Sequence, residues 1–316
     1  MHPIFIVLII LLAISIIFLS TCYVCFWITF YTGKGTQVAK EEDLPPGEEF
    51  LPYKERLEGW IESEKALTKE EIFIKSYDGL TLRGLYYPFF ENAPLEILFH
   101  GYRGNSLRDL RGGLERCQRL GRNALLVDMR GHGKSQGKVL TFGAKERLDV
   151  KAWAEYAHNR FGNNSQIILT GISMGASSVL LASNLQLPTS VCGIVADCGY
   201  SNAKEAVKLF IKKIKIAPWL AYPFVKIGGV IFGGVNIDKI NVAKALKESK
   251  LPIVFLHGDK DDFVPYEMSV QNYQSCVSPK QLVTFEGAGH GMAYLADDQK
   301  YINALKEFEQ KHYARP

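Results

Sequence analysis

The sequence predicts an α/β fold, a mostly parallel central sheet flanked by helices, behind an N-terminal transmembrane helix. Two patterns in the 316 residues support this prediction. The first 32 residues contain no Asp, Glu, Lys or Arg, and nearly all of them are apolar. After residue 70, short apolar runs alternate with amphipathic stretches, which is typical of consecutive strand–helix units. The composition, 47% hydrophobic and 22% charged, excludes a disordered or collagen-like chain.

The N-terminal apolar run is long enough to cross a membrane. As a helix, Ile4–Tyr31 would reach about 42 Å, whereas the hydrocarbon core of a bilayer is about 30 Å thick. A cleavable signal peptide has a basic residue before roughly 7–15 apolar residues, and this run has neither feature. Four basic residues follow the run, which only weakly favours a cytoplasmic domain and leaves the side of the membrane open; they are Lys34, Lys40, Lys54 and Arg56. We predict a single-pass membrane anchor over residues 1–32.

Residues 33–69 are predicted to be a linker, because six glycines and prolines fall between positions 33 and 52. The remaining residues, 70–316, would form one domain. The formal net charge of +4 is too small to indicate nucleic-acid binding. Ten lysines against three acidic residues nevertheless fall between positions 204 and 250. The six cysteines do not cluster as in a disulfide scaffold.

The domain opens with a predicted antiparallel hairpin, Glu71–Lys75 and Thr81–Tyr87, around an Asp-Gly turn. Later strands are expected at residues 95–99, 124–127, 166–169, 191–195, 252–256 and 281–285. Binding sites in parallel sheets form beyond the carboxyl ends of the strands. Polar residues that follow the predicted strands are therefore candidates for the site: His100, Asp128, Ser173, Asp197, Asp261 and His290.

Gly171-Ile172-Ser173-Met174-Gly175 is a G-x-S-x-G motif. A predicted strand precedes it and a helix-like stretch, 176–185, follows it, which is the context of a nucleophile elbow. Glycines flank the serine in such elbows because the turn is strained and backbones pack closely there. A serine that only caps the helix is the competing interpretation, and the preceding buried strand disfavours it.

A serine hydroxyl becomes a useful nucleophile when a base takes its proton and a carboxylate orients that base. His290 lies in a glycine-rich loop after the last predicted strand, and Asp261 follows the strand before it. The chain order Ser173, Asp261, His290 is that of nucleophile, acid and histidine in one known arrangement. Other carboxylates remain open for the acid: Asp197, Asp259 and Asp262.

A developing oxyanion needs backbone N–H donors, one after the nucleophile and one in the loop after the third strand. Met174 and Tyr102 occupy these positions. The glycines of His100-Gly101-Tyr102-Arg103-Gly104 let that loop approach a substrate. The His100 side chain is expected to act as a structural hydrogen-bonding group.

Five stretches carry a resemblance to a known family: His100-Gly101, Asp128-Met129-Arg130-Gly131-His132-Gly133-Lys134-Ser135, Gly171–Gly175, Asp261-x-x-Val264-Pro265 and Gly289-His290. Together they resemble the α/β-hydrolases, over roughly residues 70 to 310. Within that superfamily the chain is similar to monoacylglycerol-lipase-like and serine-aminopeptidase-like serine hydrolases, many of which are membrane-anchored. The resemblance implies ester, thioester or amide hydrolysis of a small-molecule or lipid acyl substrate, without a cofactor. An acyltransferase using the same triad and a non-catalytic binding protein are the alternatives.

Other chemistries have little support in the sequence. Gly133-Lys134-Ser135 imitates the end of a phosphate-binding loop, but Asp128 stands where that loop needs glycine. No H-E-x-x-H motif occurs, and the Cys22-x-x-Cys25 pair lies within the apolar run, so no metal site is predicted.

Residues 200–250 interrupt the strand pattern where α/β-hydrolases commonly insert a helical cap. The segment is both basic and apolar, a composition suited to an anionic membrane surface. An ordinary solvated cap over the active site is the equal alternative. The partners we expect are therefore an acyl substrate and a lipid bilayer, and no nucleic acid.

Overall fold

The computed structural model describes residues 3–33, 38–162 and 165–313. Residues 1–2 of the predicted anchor and 34–37 of the predicted linker, Lys34 among them, lie outside these ranges.

The described residues form one eight-stranded sheet with the strand order β1-β2-β4-β3-β5-β6-β7-β8. The pairs β1–β2 and β2–β4 are antiparallel, and all other neighbouring pairs are parallel. The strands are β1 (Glu70–Lys75), β2 (Thr81–Tyr87), β3 (Leu95–Phe99), β4 (Asn123–Val127), β5 (Ile167–Ile172), β6 (Val191–Asp197), β7 (Ile253–Gly258) and β8 (Lys280–Phe285).

Helices connect these strands and cover the sheet. They are α1 (Pro3–Thr29), α2 (Lys54–Lys65), α3 (Ser106–Arg119), α4 (Glu146–Phe161), α5 (Met174–Ala182), α6 (Ala203–Lys213), α7 (Pro218–Gly233), α8 (Val242–Leu246), α9 (Tyr266–Ser275), α10 (Ala293–Ala296) and α11 (Asp298–His312). Short 3₁₀ helices lie at Glu48–Tyr53 and Ile237–Lys239.

The central strands are buried on both faces. Every residue of β3, β4 and β7 is buried, as expected for parallel strands covered by helices on each side. The predicted strands are confirmed, but β5, β6 and β7 each continue two or three residues further than the apolar runs indicated. These extensions bring the chain to the carboxyl edge of the sheet, where the candidate residues lie. The predicted α/β fold class is confirmed.

Helix α1 is the one described helix that is long and apolar enough to cross a membrane. Most of its side chains are exposed, but Phe26 and the following Phe30 are buried in the main core. The Phe30 ring packs edge-on against Phe142 with a centroid distance of 5.7 Å, and Tyr31 bridges to Val139. The end of the apolar run is therefore part of the folded domain. Hydropathy alone does not distinguish a side chain facing lipid from one facing the protein core.

The structure differs from the predicted linker over residues 48–65, which form a 3₁₀ helix followed by α2. The Trp60 indole donates a hydrogen bond of 2.5 Å to Glu115 on α3, and its ring stacks on Tyr294. Arg56 binds the carboxylates of Glu115 and Asp298 at 3.0 and 2.7 Å. The glycines and prolines before residue 52 pointed to a tether, whereas only a few docking residues distinguish α2 from a solvated helix.

Replacing Phe30 by alanine should destabilise the whole domain. The ring is fully buried, and removing a buried Phe ring typically costs about 3–5 kcal/mol. Ile10→Ala is the matched control, because that side chain lies on the exposed part of α1 and is 51% exposed. Thermal unfolding of the full chain in detergent should show a clearly lower midpoint for Phe30→Ala alone. Equal midpoints for both variants would mean that Phe30 does not contribute to the core.

Candidate active site

Ser173 lies at the sharp turn between β5 and α5. Its backbone is in the left-handed region, with φ 56° and ψ −116°. A Cβ atom on Gly175 would come within 2.1 Å of the Phe99 carbonyl oxygen, and one on Gly171 within 2.2 Å of the Gly175 backbone. Only glycine fits at these two positions. The motif therefore forms the strained strand–turn–helix that its pattern predicts.

His290 follows β8 and links the serine to a carboxylate. Its Nε2 atom is 2.9 Å from the Ser173 hydroxyl oxygen, and its Nδ1 atom is 2.6 Å from Oδ2 of Asp261. An ionised carboxylate only accepts hydrogen bonds, so Nδ1 carries the proton of the neutral ring. Nε2 is then free to accept the serine proton. The structure thus brings the three predicted residues into one hydrogen-bonded chain.

Asp261 is held in place by the loop after β7. Its Oδ1 atom accepts hydrogen bonds from the Phe263 and Val264 N–H groups at 2.9 and 2.8 Å. Burial alone would raise the pKa of this carboxyl, but hydrogen bonds from His257, His290 and the backbone hold the pKa well below its ordinary value. Asp261 therefore stays ionised beside His290.

His257 is a component of the site that the sequence analysis did not identify. Its Nε2 atom faces two acceptors, Oδ2 of Asp261 at 3.1 Å and the Val264 carbonyl at 2.9 Å. Nε2 must then carry the proton, and Nδ1 accepts from the Ser269 hydroxyl at 2.6 Å. His257 is a positioning residue for Asp261. The predicted strand ended at residue 256, whereas β7 continues to Gly258 and includes His257, and nothing in the pattern gave this side chain a role.

The other candidate carboxylates do not reach His290. Asp197 is buried at the end of β6 and accepts a hydrogen bond from the Tyr301 hydroxyl at 3.2 Å. Burial raises its pKa to about 6. Asp259 accepts from the Gly287 N–H at 2.7 Å, and the exposed Asp262 pairs with Lys213 at 3.1 Å.

His100 has the structural role expected from the sequence. Its Nδ1 atom lies 2.8 Å from the Gly101 carbonyl, and its Nε2 atom accepts from the Met129 N–H at 3.0 Å. Asp128 accepts from the Ser106 and Lys134 N–H groups at 3.0 Å each. These bonds join the loops after β3 and β4.

Comparisons with known proteins bear on the fold and the class of enzyme. The family model described as "Serine aminopeptidase, S33" matches residues 94–230. An uncharacterized protein of Bacillus subtilis, YqkD, is 25% identical over 249 residues, covering 78% of this chain and 81% of YqkD. The polyketide transferase grgF of a Penicillium species is 21% identical over 293 residues, covering 78% of this chain and 98% of grgF. A solved structure, the Pyrococcus furiosus esterase Pf2001, superimposes with a TM-score of 0.67 at 24% identity, covering 88% of this chain and 99% of the esterase.

The chain is a serine hydrolase with the α/β-hydrolase fold. The resemblance inferred from the motifs is confirmed at this level.

The loop after β3 of this hydrolase lies directly over Ser173. A Cβ atom on Gly101 would lie 3.5 Å from the Ser173 Cβ, in ordinary contact. The predicted oxyanion residues, Tyr102 and Met174, both line an apolar pocket beside Ser173. Their backbone N–H groups thus belong to the two segments that meet at the serine.

The same loop is fastened to the C-terminal end of α1. The Tyr102 hydroxyl donates to the Thr29 carbonyl at 3.1 Å, and Arg103 donates to the carbonyls of Ile28 and Tyr31 at 2.7 and 3.1 Å. The last carbonyls of a helix have no intrahelical partner, so these side chains cap α1. The sequence pattern carried no signal for this contact between segments about 70 residues apart.

A cavity of about 460 Å³ opens beside Ser173 and His290. The adjoining apolar pocket is lined by residues from α1, α6 and the loops around the site, including Thr29, Phe142, Val207, Phe210 and Phe263. The apolar pocket itself holds only about 30 Å³, so the space for a substrate next to the serine hydroxyl lies in the larger cavity.

The two buried carboxylates should respond differently to amidation. Asp261→Asn removes the acceptor that fixes the His290 tautomer, and the corresponding change in other triads lowers kcat by about 10⁴-fold. Asp197→Asn keeps that contact and should have a much smaller effect. Turnover of a short soluble ester by each variant tests the assignment. A larger loss in Asp197→Asn than in Asp261→Asn would assign the acid to Asp197.

Proposed function

We propose that the chain is a membrane-anchored hydrolase that cleaves a carboxylic ester, or a related thioester or amide, through an acyl-enzyme intermediate. The observation that carries this proposal is the continuous hydrogen-bonded chain from Ser173 through His290 to Asp261. In this arrangement Ser173 is the nucleophile, His290 the base and then the acid, and Asp261 the group that orients His290.

The proposed reaction has two proton-coupled steps. His290 Nε2 takes the hydroxyl proton as the Ser173 oxygen attacks the carbonyl carbon, and the ionised Asp261 stabilises the imidazolium that forms. The Tyr102 and Met174 N–H groups stabilise the oxyanion. His290 then protonates the leaving alcohol, and a water molecule releases the acyl group by the same path.

The cavity of about 460 Å³ beside Ser173 supports an acyl substrate. Phe50, Phe210 and Ile214 line it, so an apolar acyl group gains free energy by leaving water there. The similar solved protein Pf2001 is described as an esterase, which also favours ester cleavage.

We assign α1 as the membrane anchor. Helices of this kind at an N-terminus serve as anchors or as signal sequences. Burial of Phe26 and Phe30 in the domain supports an anchor that stays attached, because cleavage after the helix would remove core side chains. The basic segment 204–250 would add attraction to anionic lipid. Two lysine charges of this segment are already paired with carboxylates in the structure: Lys208 with Glu205, and Lys213 with Asp262.

Acyl transfer is the second candidate function. The similar protein grgF is described as a transferase, and an alcohol or amine in place of water would complete the same reaction. Product analysis with competing acceptors separates hydrolysis from transfer. A non-catalytic binding role would leave the serine unreactive.

Ser173→Ala should abolish covalent labelling by a fluorophosphonate probe while leaving the fold intact. It should also lower kcat by about 10⁴-fold or more, as in other triad knockouts. Ser63→Ala is the control, because the Ser63 hydroxyl bonds only its own helix, at 2.7 Å to the Gly59 carbonyl, on the surface. Labelling retained in Ser173→Ala would assign the nucleophile to another residue, and labelling absent from both proteins would refute a reactive serine.

A further inference from the structure

Helix α7 of the cap lies alongside the candidate membrane helix α1 and runs in the same direction. Phe18 contacts Phe224 with a ring-centroid distance of 5.4 Å, and Tyr23 contacts Phe232 at 5.2 Å. Between these pairs, Gly228 packs so closely that an added Cβ would lie 2.2 Å from the Cys22 carbonyl oxygen. The contacts advance in nearly equal steps along both helices. Close approach through a small residue is typical of helices that pack in membranes.

The surface of α7 divides into three faces along its length. Phe224, Gly228 and Phe232, four residues apart, face α1. A second face packs on the rest of the cap. There Lys226 pairs with Asp238, and the Tyr222 hydroxyl donates to the same carboxylate. The third face is exposed and contains no charged residue. We call it the α7 stripe: Trp219, Leu220, Pro223, Val230 and Ile231.

The α7 stripe is costly to leave in water. Trp219 is 79% exposed, and Leu220 and Ile231 are 53% and 52% exposed. An exposed patch of large apolar side chains on one helix face marks an interaction surface. The stripe adjoins the face that contacts α1, and the exposed Val24 of α1 lies beside Tyr23, which touches Phe232. Lipid that surrounds α1 therefore also reaches α7.

The turn between α6 and α7 is also suited to contact with lipid. The N–H groups of Ile214, Lys215 and Ile216 all donate to carbonyls of α6, at 3.1, 2.9 and 3.2 Å. These three N–H groups are therefore satisfied within the protein, which lowers the cost of bringing the turn close to hydrocarbon. Ile214 and Ile216 are 47% and 44% exposed. Lys215 between them has a long stem that lets its charge reach the headgroups.

The active-site cavity borders this turn. Ile214 and the preceding Lys213 line the cavity of about 460 Å³ that contains Ser173 and His290. Phe210, one helical turn earlier, lines both this cavity and the apolar pocket to which Thr29 of α1 contributes. One wall of the active-site cavity is therefore the exposed apolar turn between α6 and α7, and the adjoining pocket reaches the end of α1.

We propose that the α7 stripe is embedded in the lipid leaflet beside α1, and that the substrate is an acyl ester of a membrane lipid that reaches Ser173 from that leaflet past Ile214. This inference rests on the proposed function for its chemistry but not for the membrane contact. The polar face of α7 stays paired within the cap. The protein is then held to the bilayer by two elements, with the site open towards its substrate.

Trp219 is itself a probe of membrane contact. The full chain is placed in vesicles of phosphatidylcholine with brominated acyl chains, and its tryptophan fluorescence is compared with that of Trp219→Phe. The chain has four tryptophans, so the difference between the two proteins isolates the signal of Trp219. Quenching should be larger in the unmodified chain. The lipid-quenched part of the emission should be smaller in Trp219→Phe, while Trp27 of α1 contributes equally to both proteins. An identical quenched intensity in both proteins would place Trp219 outside the bilayer and overturn the proposal.

Access of the substrate is tested with a stripe variant, Trp219→Asp/Ile231→Asp. Its matched control is Phe73→Asp/Val277→Asp, two side chains 52% and 68% exposed on the strand β1 and after α9. Each full-length protein is assayed in vesicles on a long-chain acylglycerol and on a short soluble ester. We expect the stripe variant to lose about tenfold on the lipid ester, since a charge in hydrocarbon is costly, and to keep its rate on the soluble ester. The control should keep both rates.

The outcomes separate the two claims. Equal lipid-ester rates in the stripe variant and its control would overturn access from the leaflet. Quenching of Trp219 in a protein inactive on both esters would refute the proposed hydrolysis while supporting membrane contact. Absent quenching together with a dimer that the stripe variant loses would assign the stripe to a second copy of the chain.

Discussion

The backbone of Ser173 holds a left-handed conformation, φ 56°, that costs of order 1–3 kcal/mol for a residue with a side chain. Its surroundings fix it there: Gly171 and Gly175 allow backbones to meet, and the Ser173 N–H donates to the Asp197 carbonyl at 2.8 Å. Every residue of α5 behind it is buried. This rigid turn presents the hydroxyl to His290, and the rest of the site is arranged around it.

Helix α1 and the site are joined by direct contacts. Tyr102 and Arg103 follow Gly101 in the loop over Ser173 and bind the last carbonyls of α1. Phe30, just after α1, is buried in the domain core. Removing residues 1–32 as a whole would therefore leave these donors without partners and open the core. A helix that served only as a tether would not need such contacts. The position of the loop after β3 therefore depends on the end of the apolar helix.

The sequence predicted the sheet and the three hydrogen-bonded residues because both leave local signals: apolar strand patterns, a G-x-S-x-G turn, and polar residues at strand ends. His257 and Arg103 left none, because each acts through a partner from another element, Asp261 and the end of α1. The sequence did not predict that α2 packs on the domain, because only a short face of this helix makes contacts. Chain order and the D-x-x-V-P pattern favoured Asp261 in the sequence, while the distances to His290 separate it from Asp197 in the structure.

Detection of the covalent acyl-enzyme intermediate tests the proposed mechanism most directly. The purified full chain is mixed with a slowly deacylating ester, quenched during turnover, and analysed by intact-protein mass spectrometry and peptide mapping. We expect one acyl group per chain on the peptide that contains Ser173, formed and lost at rates that reproduce kcat. Full turnover without an adduct, or an adduct on another residue, would contradict it.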